Sequence, residues 1–159
     1  MEHKALYHIN FPISKELLLN EAMSFDDYQP YHDAKNNRYL DDWLQKHTNE
    51  GLAWDLAQKY KTDLDLSDIR PRYYIQKSGF TLPWHKDRGT GCSFNFVLDG
   101  TSSISFRDGD FYYKSAILNT QVEHAVFQTE KDTDRVLLKF SVFDLSFDEV
   151  VKRYQVKYM

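Results

Sequence analysis

The stretch that decides the fold is residues 92–109, which have the sequence CSFNFVLDGTSSISFRDG. Within it, residues 92–98 and 102–107 largely alternate between apolar and polar side chains, which is the period-two pattern of β-strands. Asp99-Gly100 ends the first segment and Asp108-Gly109 ends the second, and Asp-Gly pairs are strong signals for tight hairpin turns. The stretch therefore predicts two short antiparallel strands.

The same pattern of short segments continues on both sides of this stretch. Roughly seven strands in about 75 residues favour an antiparallel sandwich or barrel over a parallel α/β sheet. The aromatic content of 16% agrees, because aromatic side chains suit a pleated, half-buried surface. We therefore predict a mainly β core over residues 70–143. Its further strands are predicted over residues 72–77, 80–85, 111–118, 122–128 and 135–143.

Helical patterns precede this β core. A helix is predicted over residues 14–23, with Ser at its N-cap position, and apolar residues at helical spacing predict more helix over residues 39–47 and 52–60. Residues 24–36 are polar and aromatic and are predicted to form a loop. We expect residues 1–69 to be a mostly helical buttress that covers one outer face of the sheet.

Short elements are predicted at the two ends of the chain. Residues 4–11 are predicted to open the fold as a strand, and residues 146–157 are predicted to close it as a C-terminal helix. Ser146 and Glu149 fit a capping box, in which the two side chains satisfy backbone N–H groups of the first helical turn. A chain of 159 residues falls in the size range of one domain, so we expect a single domain over residues 1–159.

Composition excludes several classes of protein. The net charge of −4 argues against a nucleic-acid partner, because phosphate binding normally needs a basic surface. Cys92 is the only cysteine, which rules out an intrachain disulfide and a multi-cysteine zinc site. The sequence has no apolar run of membrane-spanning length and no signal-peptide pattern, so we expect no membrane partner and a cytoplasmic location. Oligomeric state is not readable from the sequence.

Three predicted strands carry polar side chains along one face. Because side chains alternate across a strand, Tyr74 and Gln76 share a face, Asn95 lies on the polar face of its strand, and Arg135 shares a face with Lys139. The opposite faces are apolar and are expected to pack on the helices. The polar faces point either to water or into a polar pocket between two sheets, and the sequence alone leaves both alternatives open.

The candidate metal ligands lie on neighbouring segments. His85 and Asp87 form a His-x-Asp motif, and in an extended chain their side chains share one face about 7 Å apart at Cα. His124 follows on a later predicted strand and supplies a second imidazole. Two histidines and one carboxylate form the facial triad of non-haem Fe(II) oxygenases, which leaves coordination positions open. Arg135, 11 residues after His124, could hold a carboxylate with paired hydrogen bonds.

In this order, His85, Asp87, His124 and Arg135 resemble the 2-oxoglutarate-dependent Fe(II) dioxygenase superfamily, over about residues 72–143. Residues 74–87 resemble the approach to the His-x-Asp motif in several of its branches. Residues 119–126 resemble the distal-histidine strand of the prolyl-hydroxylase-like and the aspartyl/asparaginyl-hydroxylase-like branches, and the branch is left open. The family fold is a double-stranded β-helix, the cupin-like jelly roll, with helices against its larger sheet.

The resemblance implies a site and an activity. His85, Asp87 and His124 would bind Fe(II), the co-substrate 2-oxoglutarate would chelate the metal, and Arg135 would hold its far carboxylate. Asn95, Tyr74 and Gln76 would contact 2-oxoglutarate as well, with Gln76 the weakest candidate. O2 would be the second co-substrate, and the reaction would hydroxylate a protein side chain or a small molecule that the sequence does not identify.

Two other functions remain open at this point. A cupin-like metal enzyme would keep the three metal ligands without using 2-oxoglutarate, and it would not need Arg135. A non-catalytic β-sandwich binding module would leave His85 and His124 as ordinary surface residues. The interval from Asp87 to His124 is short, which predicts an open site that would admit either a protein side chain or a free metabolite.

Overall fold

The computed structural model describes residues 3–127 and 133–159. In these ranges the chain forms eleven strands and three helices, with residue 128 of the predicted strand 122–128 outside the described residues. In chain order the elements are β1 (Leu6–His8), α1 (Lys15–Ser24), β2 (Gln29–Asp33), β3 (Arg38–His47), α2 (Leu52–Asp63), β4 (Ile69–Gln76), β5 (Leu82–His85), β6 (Cys92–Asp99), β7 (Ser103–Phe106), β8 (Gly109–Tyr112), β9 (Ser115–Leu118), β10 (His124–Val126), β11 (Arg135–Val142) and α3 (Phe147–Tyr158).

The strands form two antiparallel sheets. The larger sheet has the order β1-β9-β6-β11-β4-β3-β2, and the smaller has the order β5-β10-β7-β8. If β4 is counted as the first of eight strands, the two four-stranded layers have the orders 1-8-3-6 and 2-7-4-5. This is the double-sheet arrangement of a jelly roll, as predicted. β1 extends the larger sheet at one edge, and β3 and β2 extend it at the other.

The outer face of the larger sheet packs against the helices. Alternate residues of β6 and β11, such as Phe94, Phe96 and Phe140, are fully buried there together with Leu18 of α1 and Ala57 of α2. This confirms that the apolar strand faces pack on the helices. Burial of this face is a main source of stability, at about 25 cal/mol for each Å² of apolar surface removed from water.

The inner face of the larger sheet lies against the smaller sheet. Its apolar residues, including Tyr74 and Leu137, pack with Ile104 and Phe106 of β7. The polar side chains of the same strands are also largely enclosed, since Arg135 is 1% exposed. The mixed faces therefore point between the sheets rather than to water.

The prediction of a helix over residues 39–47 is wrong, because these residues form strand β3. Trp43 packs in the core between the sheets, whereas Leu44 packs on the core beneath the helices. A strand with apolar residues on both faces cannot be told from a buried helix by periodicity alone. The loop predicted over residues 24–36 is also wrong in part, since β2 lies within it. The region before residue 70 therefore combines two helices with three strands rather than being mostly helical.

The helix ends agree only in part with the predicted capping. The Ser146 hydroxyl accepts a hydrogen bond from the backbone N–H of Glu149 at 3.3 Å, which is one of the two hydrogen bonds of a capping box, and the Glu149 carboxylate accepts from Arg153. Ser14 occupies the N-cap position of α1, but its side chain makes no capping hydrogen bond. Among the helices of the described residues, none has the length and apolar character that crossing a membrane requires.

Candidate metal centre

Two neighbouring strands of the smaller sheet bring the candidate ligands together. His85 is the last residue of β5, His124 is the first residue of β10, and the two are direct partners across the antiparallel pair. Asp87 follows β5, where its backbone N–H donates to the Thr120 carbonyl at 3.0 Å. One ligand atom from each of the three side chains lies within 4.8 Å of the others. The pairing of β5 with β10, which are distant in the sequence, therefore brings two imidazoles and a carboxylate together.

Backbone carbonyls fix the orientation of both imidazoles. Nδ1 of His85 donates to the carbonyl of Pro83 at 2.6 Å, and Nδ1 of His124 donates to the carbonyl of Val122 at 2.8 Å. Each Nε2 is left as a lone-pair acceptor, 3.3 Å from Asp87 Oδ1 for His85 and 3.6 Å for His124. A second hydrogen bond that fixes the ring and tautomer is what metal-binding histidines usually have.

The local electrostatics favour the protonation states that bind a metal. Burial lowers the pKa of His124 to about 4, although the nearby Asp87 carboxylate acts in the opposite direction. Burial alone would raise the pKa of Asp87, but the charge and the hydrogen bond of the Lys139 ammonium outweigh it and hold the pKa below its usual value. Near pH 7 His124 is therefore neutral and Asp87 is ionised, which are the states that coordinate a cation.

Lys139 of β11 is the direct ionic partner of Asp87. Its ammonium contacts Asp87 Oδ2, whereas both histidines approach Oδ1. The Lys139 side chain is only 16% exposed, and the Asp87 charge raises the Lys139 pKa against the effect of burial. From the sequence, Lys139 is either a second anchor for a carboxylate on the face of Arg135 or a side chain that reaches solvent, and its contact with Asp87 was not predicted.

Arg135 lies at the start of β11 and is buried between the sheets. Its Nε donates to the carbonyl of Thr101 and its Nη2 to the hydroxyl of Tyr113, both at 3.1 Å. Within residues 3–127 and 133–159, Arg135 forms no ion pair with a carboxylate. A buried guanidinium that has only neutral partners is a favourable site for an anion, because burial of an unpaired charge is costly.

The remaining three predicted site residues lie on the same inner face. Tyr74 stacks on Trp43 with ring centroids 4.8 Å apart, and its ring lies 6.0 Å from the Lys139 ammonium. Asn95 accepts a hydrogen bond from Ser93 at 2.7 Å and donates to the Tyr113 hydroxyl at 3.2 Å. Tyr74 and Asn95 therefore border the region between the metal ligands and Arg135.

Gln76 has a different set of contacts. It lies directly across from Arg135 in the sheet, but its side-chain N–H groups donate to two backbone carbonyls, those of Phe80 at 2.8 Å and Val126 at 3.2 Å. The bond to Val126 joins β4 to β10 across the two sheets. The amide of Gln76 thus serves to hold the sheets together.

Tyr113 is a polar contact that the sequence did not single out. Its hydroxyl receives hydrogen bonds from both Asn95 and Arg135 and thereby links β6 to β11. Tyr113 lies between β8 and β9, where no local pattern distinguishes it from the other tyrosines of the chain. Only the folded arrangement identifies it.

Comparison with solved structures supports the fold. The chain is similar to a prolyl-4-hydroxylase from Pseudomonas putida, with a TM-score of 0.63 and 14% identity over 89% of this chain and 94% of that one. It is also similar to the viral collagen prolyl hydroxylase of Paramecium Bursaria Chlorella virus-1, with a TM-score of 0.61 and 11% identity over 89% and 91% of the two chains. At these identities the likeness establishes the jelly-roll fold and nothing finer.

A weaker likeness extends to the cupins. An RmlC-like cupin protein from Ralstonia eutropha matches with a TM-score of 0.47 and 13% identity, over 82% of this chain and 80% of that one. No protein-family model matches the chain, and no curated protein matches it either. The fold and the His-Asp-His group together define a jelly roll with a candidate metal site.

Proposed function

We propose that this chain is an Fe(II)- and 2-oxoglutarate-dependent dioxygenase that hydroxylates a protein side chain or a small molecule. The observation that carries the proposal is buried Arg135, which lies on the same inner sheet face as Lys139, the partner of Asp87. The three candidate ligands alone would suit many metal enzymes. A buried cation without a carboxylate partner in the described residues adds a site for a second anionic group, four residues before Lys139 on the same strand.

The donor set fits Fe(II). Two imidazole nitrogens and one carboxylate, with no thiolate, suit a non-haem iron site with open positions. His85 and His124 would bind through Nε2, because Nδ1 of each ring is engaged by a backbone carbonyl. Asp87 would bind through Oδ1, since Lys139 holds its other oxygen. Bound Fe(II), with 2-oxoglutarate and O2, would supply the oxidising chemistry, and 2-oxoglutarate would leave as succinate and CO2.

The other residues of the inner face would position the co-substrate. Arg135 would bind the far carboxylate of 2-oxoglutarate, and the Tyr113 hydroxyl beside it would supply one more hydrogen bond. Asn95 and Tyr74 border the space between Arg135 and the metal ligands and would orient the chain of the co-substrate. Apolar neighbours such as Leu137 would keep water from this space.

A metal enzyme that does not use 2-oxoglutarate is the second candidate. The hydrogen bonds from Arg135 to Thr101 and Tyr113 favour it, because they partly satisfy the guanidinium without any ligand. In that case Arg135 would be a structural residue that joins β11 to its neighbours. A titration with Fe(II) and then with 2-oxoglutarate separates the two candidates.

The test is an anaerobic titration of the full chain with Fe(II) and then with 2-oxoglutarate. We expect one Fe(II) per chain, followed by a metal-to-ligand charge-transfer band when 2-oxoglutarate is added. Fe(II) binding without the band would support the second candidate. Absence of Fe(II) binding would contradict both candidates and would favour a non-catalytic binding module. The control is His124→Ala, which removes one candidate ligand. Its affinity for Fe(II) should fall at least about 100-fold, because loss of a residue that only hydrogen-bonds to a metal ligand can already cost that much.

A further inference from the structure

Arg72, a third cation of the inner face beside Arg135 and Lys139, has no role in the proposed function. Arg72 lies on β4 directly opposite Lys139 of β11 on one side and opposite His47 of β3 on the other. Side chains at such opposed positions have Cβ atoms about 4.5–5.5 Å apart. Since Lys139 contacts Asp87, Arg72 lies beside the candidate metal ligands.

Arg72 is poorly satisfied within the protein. Its Nε is buried and has no hydrogen-bond partner, and its Nη1 makes only a long hydrogen bond of 3.5 Å to the Tyr74 hydroxyl. In the parts of the chain that the structure describes, Arg72 also has no carboxylate partner, whereas Arg70, two residues earlier, pairs with Asp68. An unsatisfied buried donor costs about 1–3 kcal/mol and more when charged, so a bound anion would relieve this cost.

The neighbouring basic groups do not change this charge balance. The Lys139 charge is balanced by Asp87. Burial lowers the pKa of His47, and the positive charge of Arg72 lowers it further, so His47 is neutral near pH 7. Among the residues that the structure describes, Arg72 is therefore the cation of this part of the inner face that no carboxylate balances.

The anion at Arg72 is not the far carboxylate of 2-oxoglutarate. Arg135 is the register partner of Gln76, which is four residues beyond Arg72 on β4. Four residues of strand span about 13 Å. Because Arg72 lies level with Lys139, it flanks the metal ligands, whereas a co-substrate that reaches Arg135 extends away from it along the strands.

An aromatic side chain borders the same place at the surface. Tyr31 of β2 is 37% exposed, and its hydroxyl is close enough to Asp87, Lys139 and Arg72 for their charges to act on it. Burial raises the pKa of Tyr31, and the Asp87 charge adds to this effect while Arg72 acts against it. A ligand that reaches Arg72 from the surface would pass beside this ring.

We propose that Arg72 binds a carboxylate of the primary substrate, so that the site acts on a carboxylic acid, either a free acid or a carboxylate carried by a peptide. This inference rests on the proposed function. The planar guanidinium matches one carboxylate with two parallel hydrogen bonds. One carboxylate also matches the single charge of this guanidinium, which has no carboxylate partner among the described residues, whereas Lys139 beside it is paired with Asp87.

The test is a titration of the anaerobic, Fe(II)- and 2-oxoglutarate-loaded chain with acetate, and in parallel with neutral acetamide, by calorimetry at constant ionic strength. We expect one acetate per chain and no binding of acetamide. Arg72→Met should weaken acetate binding at least tenfold, and the matched control Arg70→Met should leave it unchanged. Arg72→Gln keeps a polar end group but removes the charge. It decides the result if the Met variant does not fold.

Three results would overturn the inference. They are absence of acetate binding to the wild-type chain, equal binding to the Arg72 variants, and a loss of 2-oxoglutarate affinity in Arg72→Met as large as in Arg135→Met. The charge-transfer band, recorded in the same samples, tests the proposed function separately. If the band is absent but acetate binding still requires Arg72, the proposed function fails and the carboxylate site stands.

Two larger probes then separate the sources of the carboxylate. One is free glutamate, and the other is glutamate within a tripeptide that is acetylated at one end and amidated at the other. Tighter, Arg72-dependent binding of free glutamate assigns a free acid as substrate. Tighter binding of the tripeptide assigns an acidic side chain of a peptide.

Discussion

The two faces of strand β11 differ in what they contribute to the protein. The outer face carries Val136, Leu138, Phe140 and Val142, all of them buried in the core beneath the helices. The inner face carries Arg135 and Lys139, which hold polar and charged partners between the sheets. One strand thus stabilises the fold with alternate residues and builds the candidate site with the others. Substitutions one position apart should therefore fail in different ways.

The largest expected effect is on the outer face. Phe140→Ala removes a fully buried aromatic ring and should lower the free energy of unfolding by about 3–5 kcal/mol, measured by urea denaturation. The loss should be the same with and without a divalent metal, because Phe140 lies on the side away from the candidate ligands. Phe127→Ala, at a side chain that is 43% exposed, is the matched control and should cost at most about 0.5 kcal/mol. A loss that metal restores would contradict the separation of the two faces.

On the inner face, the corresponding test is Arg135→Ala. It should weaken 2-oxoglutarate binding by about 2–5 kcal/mol, the usual loss when one partner of a buried charge pair is removed. Fe(II) affinity should stay near that of the wild type, because Arg135 is not a ligand. Arg135→Lys should restore only part of the affinity, since an ammonium lacks the paired donors. Unchanged 2-oxoglutarate binding and succinate formation in Arg135→Ala would remove Arg135 from the co-substrate site.

Lys139→Met should reveal the link between stability and metal on the inner face. Removal of the ammonium leaves the Asp87 carboxylate without its ionic partner, so the metal-free chain should lose about 3 kcal/mol in the free energy of unfolding. Zn(II), used as a redox-inert cation, should restore much of this loss by binding Asp87. Lys59→Met, which breaks an exposed ion pair with Asp63, should cost no more than about 1 kcal/mol and should not respond to metal. Failure of Zn(II) to restore the Lys139 variant would mean that Asp87 does not bind the cation.

The smallest expected effect is a pH dependence of the metal-free chain. Because the folded state lowers the pKa of His124 to about 4, the unfolded state binds this proton first as the pH falls. Stability should therefore decrease between about pH 6.5 and pH 4, on the order of 1–3 kcal/mol. Asp87, whose pKa is also lowered, should add a loss only at more acidic pH. His124→Asn should flatten the pH 4–6.5 segment of the urea-derived profile, and an unaltered slope would contradict the assignment to His124.

The sequence predicts the β core well but the region before it poorly. Strand alternation and Asp-Gly turns identify the strands after residue 70, since those strands bury one face against the helices and keep polar residues on the other. β3 has no wholly polar face, because Trp43 packs in the core between the sheets and Leu44 packs on the core beneath the helices. Its apolar residues therefore fall at a spacing that also fits a helix. Periodicity records burial, and it cannot distinguish a strand that is covered on both sides.

The candidate site shows the same division. The positions of His85, Asp87 and His124 follow from sequence spacing and strand order, and the structure brings the three side chains together. The contacts of Lys139 and Tyr113 could not be predicted, because they join residues that are 52 and 22 positions apart. Such pairs depend on sheet register and side-chain length, which local pattern does not encode.

The direct pairing of His85 with His124 makes the order of folding relevant to the metal. These residues are 39 positions apart in the sequence, so the two imidazoles meet only after β5 and β10 have paired. A slip of one residue between these strands would turn one ring to the opposite face of the sheet and separate the ligands. A cation that binds both rings would therefore stabilise the correctly aligned strand pair relative to misaligned pairs. It would thus select the native register of β5 and β10 during folding.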